Sequence, residues 1–222
     1  MKHVMVAALA CAVAEALSAQ TAPAHGIVVA AAVEAAQHAN FAPARAREVV
    51  AFWEGAGPAM WFAKDDDFDR RFRERFLPLH EAAARGELDG WSTTPAGALA
   101  LMILLDQFPR NSFRGTPRMY ATDAATRALA DAAIAAGHDR EVAADMQKFF
   151  YLPFGHSEDL ADQDRAVELC ARLGGRDLSQ AEHHRDIVRR FGRFPHRNAI
   201  LGRASTPEEI EYLKDANTFG QG

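Results

Sequence analysis

The sequence predicts an all-α fold, an antiparallel array of helices. Three observations carry this prediction. Apolar residues recur at spacings of three and four along most of the chain, helix start and stop signals punctuate it at short intervals, and no run alternates apolar with polar residues as a half-buried strand would.

The elements follow in order. Residues 1–46 contain 18 alanines and differ from the rest. Lys2 and His3 precede an apolar run from Val4 to Ala14, and small residues follow around Ser18, Ala19 and Gln20. That layout fits a secretory signal, although Glu15 places a charge near the end of the apolar stretch. It fits equally an extra Ala-rich amphipathic helix, with Ile27 to His38 as another of the same kind. The run is too short for a comfortable membrane span. Residues 1–42 are therefore read as an extension, 43–216 as a single helical domain, and 217–222 as a frayed tail.

Pro43 suits a first helical turn and leads into Arg45 to Glu54. Asp65, Asp66 and Asp67 open a helix whose Phe68, Phe72, Phe76 and Leu79 share one face, with Pro78 expected to kink or end it. Thr94 and Pro95 form a cap and first-turn proline. The segment Leu99 to Leu105 is almost wholly apolar and belongs in the interior. Thr116 and Pro117 repeat the start signal ahead of a helix from Ala121 to Ala136. Further helices are expected over Arg140 to Tyr151, closed by Pro153, over Asp159 to Leu173, and over Leu178 to Phe191, ended by Gly192. Thr206 and Glu209 have capping-box spacing.

Composition narrows the function. The chain has 222 residues, 49% hydrophobic and 25% charged, enough for a substantial core. A net charge of −5 gives the molecule as a whole no electrostatic reason to bind nucleic acid. Cys11 and Cys170 are too few and too far apart for a disulfide framework or a zinc site. No cofactor motif is present: there is no Gly-rich phosphate loop, His80 and Glu81 lack the second histidine of a zinc protease, and Asp65 to Asp69 lacks the glycine and distal glutamate of a calcium loop. Adjacent His183 and His184 face different sides of a helix. Without a membrane span the expected location is cytoplasmic, or periplasmic or secreted if residues 1–19 are a signal.

Three polar blocks exceed what helix building requires. The first runs from Asp106 through Arg110 and Asn111 to Arg114. Its charges would be neighbours if the turn stayed helical, and Pro109 argues that it does not. The second holds His156, Ser157 and Glu158, in which Ser157 reads as a helix cap and His156 with Glu158 as proton-transfer candidates. The third runs from His184 through Arg193, Arg197 and Asn198 to Arg203, with six arginines and one acid, Asp186, between 185 and 203. Phenylalanines interrupt these arginines, so some guanidinium groups are partly buried and need partners, either carboxylates such as Asp106 and Glu158 or an anionic ligand.

Together these blocks carry a resemblance. Phe52-Trp53, Trp61-Phe62, Phe68-Asp69, the stretch Asp106 to Asn111, Arg114 to Thr116, Leu152-Pro153, His156 to Glu158, Gln163, and His184 through Arg203 are similar to the bacterial domain-of-unknown-function family nine hundred and twenty-four, over about residues 46–213. The resemblance implies a tetratricopeptide-like helical array and no particular activity.

Three readings of function remain. In the first, Asp106, Arg110, Asn111, Arg114, Arg193, Arg197 and Asn198 form a site for a small anion, with His156, Glu158 and His184 available for proton transfer. In the second, the array is a scaffold for a protein or peptide. In the third, the polar blocks only specify the fold, and losing Arg197 breaks a buried ion pair. The sequence leaves the oligomeric state open and leans to the first.

Overall fold

The computed structural model describes residues 44–214; every regular element among them is helical and no strand occurs. The readings of segment 1–42 as signal or extra helices, and of 217–222 as a frayed tail, lie outside the described residues. No helix among the described residues is long and apolar enough to cross a membrane.

Helix α1 spans 44–56, and a short α2 follows at Pro58–Trp61. Helix α3, Asp66–Ala84, begins at Asp65, whose side chain accepts the Phe68 amide at 2.7 Å. It buries Phe76 against Phe52 of α1, and Phe68 and Phe72 against Trp53 of α1, which stacks on Trp61 and meets Phe149 edge-on. Of the two expected effects of Pro78, a kink or an end, the second does not occur: α3 runs on to Ala84. Pro78 and Glu74, whose carbonyl loses its amide partner, are both exposed, so that carbonyl is open to solvent.

Helix α4, Pro95–Met102, is capped by Thr94 as its sequence predicts, and its buried run continues into a wider π turn at Ile103–Gln107 and then α5, Phe108–Ser112. The expectation that Pro109 breaks this helix is overturned. In the π turn the Phe108 amide bonds Ile103 rather than Leu104, and Pro109 offers no N–H to Leu105. The two carbonyls so released are both served. Leu104 accepts from His80 Nδ1 at 2.9 Å, and Leu105 accepts from the Thr122 hydroxyl. The helix passes its proline because side chains satisfy what the ladder drops.

Helix α6 spans Asp123–Ala135. The expected helix from Arg140 to Tyr151 is only its last part, α7 at Lys148–Gly155. Asp139, ahead of Arg140, accepts the Tyr151 hydroxyl, and Gly137 at φ 82° steers the chain into a 3₁₀ turn at His138–Arg140 instead. Pro153 lies inside α7 rather than closing it. Helix α8, Leu160–Cys170, is capped by Asp159 rather than Ser157, whose hydroxyl accepts the Asp159 amide at 3.1 Å. Helix α9, Gly175–Phe191, ends at left-handed Gly192 as predicted, and α10, Pro207–Leu213, carries the complete capping box of Thr206 and Glu209.

Helix α8 packs chiefly against α7 and α9, α3 against α5, and α6 against α4 and α7. The element lengths, from 4 to 19 residues, give no regular helix-pair repeat that would confirm a tetratricopeptide-like stacking.

Candidate functional site

A cavity of about 420 Å³ opens beside Trp61 and Phe62. Three stripes build most of its wall, each with the helical spacing i, i+3, i+4, i+7. They are Gln107, Arg110, Asn111 and Arg114 from the π turn, α5 and the turn after it; Lys148, Tyr151, Leu152 and Gly155 from α7; and Asp177, Gln180, Ala181 and His184 from α9. His156, Phe194, His196 and Arg197 close one end, and Ala166 and Cys170 line it from α8.

One wall is a buried polar network. Because the helix continues through Pro109, Asp106 and Arg110 meet at 3.1 Å. Arg110 also forms two parallel bonds to Asp123, at 2.9 and 3.0 Å. On its other side Asp106 meets His156 Nδ1 at 2.8 Å. Burial by itself would raise the Asp106 pKa, but Arg110 and His156 outweigh it and hold the carboxyl at about 2. Burial also opposes charge on Arg110, yet Asp106 and Asp123 keep that guanidinium above its ordinary range. Burial and then the Arg110 charge push His156 below the usual imidazole value, so it is neutral at neutral pH. An ionised carboxylate only accepts, so His156 donates from Nδ1 and its lone pair resides on Nε2.

His184 repeats the arrangement against a carbonyl, with Nδ1 3.1 Å from Gly155 O. Burial, followed by the neighbouring His156, His183 and Arg197, lowers it to about 3.

Arg197 is 5% exposed and lies between the rings of Tyr120 and Phe194, 4.6 and 4.4 Å from their centroids. Its Nη1 donates to the His156 carbonyl at 2.9 Å. The same Nη1 is 4.0 Å from Asp123 Oδ2, and the buried Nε has no hydrogen-bond partner. Burial, then repulsion from Arg110, lowers its pKa to about 10.

Arg114 and Lys148, also on the wall, are engaged more fully. Arg114 and Asn111 share Asp69, at 2.5 and 2.8 Å, and Lys148 pairs Asp177 at 2.9 Å. Tyr151 donates its hydroxyl to buried Asp139 at 2.8 Å. Burial pushes the Cys170 thiol up to about 12, which leaves it a packed, protonated side chain. Among the described residues no group of three His, Cys, Asp or Glu side chains is placed to hold a metal ion.

The structure thus brings Arg110, Asn111, Arg114, His156, His184 and Arg197 to one cavity, with Asp106 behind them. It does not bring Glu158, Arg193 or Asn198 there. Glu158 accepts two bonds from Arg203, at 2.6 and 2.9 Å, and the Phe194 amide at 2.8 Å. Arg193 holds Glu209 at 2.6 and 2.8 Å, and Asn198 bonds Ser205, Glu209 and Arg203. These groups brace the C-terminal loop instead. Sequence reading missed Trp61, Lys148, Tyr151 and Gln180, which lie outside the charged blocks, Asp69, which was read as part of a helix start, and Gln107, which lies inside the first block but was not singled out.

Among curated proteins none matches this chain. A solved structure of a protein of unknown function from Agrobacterium tumefaciens is similar to it, 58% identical, with a TM-score of 0.77, covering 78% of this chain and 98% of that one. The family profile described as bacterial protein of unknown function (DUF924) matches residues 49–217, and the resemblance read from the sequence is thereby confirmed. With that match spanning the described helices and every residue of the cavity, the chain belongs to the DUF924 family.

Proposed function

We propose that the cavity binds a small organic anion with an apolar body. The observation that carries this reading is Arg197, a buried guanidinium whose Nε has no hydrogen-bond partner and whose Nη1 stands 4.0 Å from Asp123 Oδ2. A buried charge is stable when its donors are matched by acceptors, and a carboxylate or phosphate supplies them in the planar geometry a guanidinium favours. Arg110 stands on the same wall and also has a buried Nε without a hydrogen-bond partner. Trp61, Phe62, Leu152 and Ala181 supply apolar surface for the rest of the molecule, and a volume of about 420 Å³ suits a small metabolite. His156 and His184 are polar partners in this reading, while Glu158, Arg193 and Asn198 belong to the surrounding frame.

Native mass spectrometry of the purified protein beside Arg197→Met tests it. The expected result is a reproducible extra mass on the wild-type chain that is absent from the folded variant. A bare mass in both, together with no shift in thermal midpoint on adding small carboxylates or phosphates at millimolar concentration, overturns it.

A further inference from the structure

We infer that the cavity selects 2-hydroxycarboxylates with an apolar substituent, the carboxylate held by Arg197 and the hydroxyl donated to His156 Nε2. This rests on the anion-binding reading above and adds what the bound anion must carry beside its charge.

The argument begins with proton positions. His156 Nδ1 is 2.8 Å from an Asp106 carboxylate that already takes Arg110 and Gln107 as donors. That carboxylate has no proton to give, so the Nδ1 hydrogen belongs to His156 and Nε2 is an acceptor. Asp106 stands behind the cavity wall while His156 lines the cavity, so the ring edge carrying Nε2 is the one left to a ligand. The residue that carries the acceptor is also the one the cation is fastened to: Arg197 donates to the carbonyl of His156 itself at 2.9 Å. A molecule that satisfies both groups carries an anionic group and a hydrogen-bond donor at one end, as at C1 and C2 of a 2-substituted acid.

The charges on the wall decide which donor. Arg110, Arg114, Lys148, Arg176 and Arg197 all line the cavity, and its one lining carboxylate, Asp177, is paired with Lys148 at 2.9 Å. An ammonium group would enter beside five cations with no carboxylate released to meet it. A neutral hydroxyl meets no such opposition. Tyr151 does not compete for the His156 lone pair, because its hydroxyl is given to Asp139 at 2.8 Å.

Isothermal titration of the full chain at pH 7.5 with mandelate, phenylacetate and phenylglycine is the test. The three probes share a phenyl ring and a carboxylate and differ at C2, with a hydroxyl, a hydrogen and an ammonium respectively. Mandelate is expected to bind about threefold to tenfold more tightly than phenylacetate, the ratio one neutral hydrogen bond provides, and phenylglycine is expected to bind most weakly. In His156→Phe, mandelate and phenylacetate should bind equally. If that variant does not fold, the ¹⁵N shift of His156 Nε2 in the wild-type chain replaces it, moving with mandelate and not with phenylacetate. Equal wild-type affinities for mandelate and phenylacetate overturn this inference and leave anion binding standing. Phenylglycine binding most tightly overturns it in favour of amino acids. No binding by any probe overturns it as well, and the mass measurement above then decides separately whether the cavity holds an anion of another kind.

Discussion

Arg197 donates to the carbonyl of His156 at 2.9 Å, so a buried cation of the cavity wall is fastened to the backbone of the residue whose ring carries an acceptor. The two groups cannot drift apart without breaking that bond, which gives the polar end of the cavity a fixed geometry before any ligand arrives.

This arrangement separates the function of Arg197 from stability. Replacing it with Met removes a desolvated charge and one hydrogen bond while keeping apolar bulk between Tyr120 and Phe194. Urea unfolding of Arg197→Met should differ from wild type by no more than about 1 kcal/mol. If Arg197 were half of a tight buried ion pair, the loss would be about 3–5 kcal/mol, and a value in that range rejects the assignment.

Asp123 should behave oppositely. It is the bidentate partner of Arg110, with both side chains buried. Asp123→Asn leaves Asp106 as the one carboxylate facing that guanidinium and should destabilise by about 3–5 kcal/mol. The urea midpoint measures it, and a loss under about 1 kcal/mol would show that Asp106 alone suffices.

Acid should weaken the fold early. His184 titrates at about 3 in the folded chain, against 6.5 for an ordinary imidazole. Between those values the unfolded chain takes up a proton that the folded chain refuses. Stability is therefore fully present above pH 6.5 and falls as the pH drops towards 3, by about 1.4 kcal/mol per pH unit for one such proton. His156, also lowered by burial, acts in the same direction. Thermal midpoints at pH 8, 6 and 5 check this. His184→Phe should flatten the decline, and an unchanged slope assigns it to other groups.

Glu158 tests the boundary of the site. Glu158→Gln breaks its double bond with Arg203 and weakens its hold on the Phe194 amide, and should lose about 1–3 kcal/mol in urea. Binding of phenylacetate should not change. A lost affinity with preserved stability would return Glu158 to the site.

What the sequence revealed depended on how each signal is written along the chain. Caps at Asp65, Thr94 and Thr206 and the stop at Gly192 are local chemistry and were legible. The cavity is not local. It takes one stripe from each of three segments, so Lys148, Tyr151 and Gln180 stand among unrelated neighbours in sequence, while the charged run from Arg185 to Arg203 mostly finds partners at the surface or in the C-terminal loop. Asp69 hid in a helix start because its partners Asn111 and Arg114 lie more than 40 positions away. Pro109 misled for a different reason: His80 and Thr122, which rescue the released carbonyls, come from other helices.

The π turn at Ile103–Gln107 also sets the winding phase of everything after it. Each residue of an α-helix advances the side-chain direction by about 100°, so the wide turn holds one residue's worth of extra rotation. Shortening that segment by a single residue would leave the composition almost untouched, yet swing Arg110 and Asn111 away from Asp123 and Asp69. Pro109 guards the offset, because a regular ladder has no amide at that point with which to rewind. The polar wall of the cavity is thus held in register by a deliberate miscount in the helix beneath it.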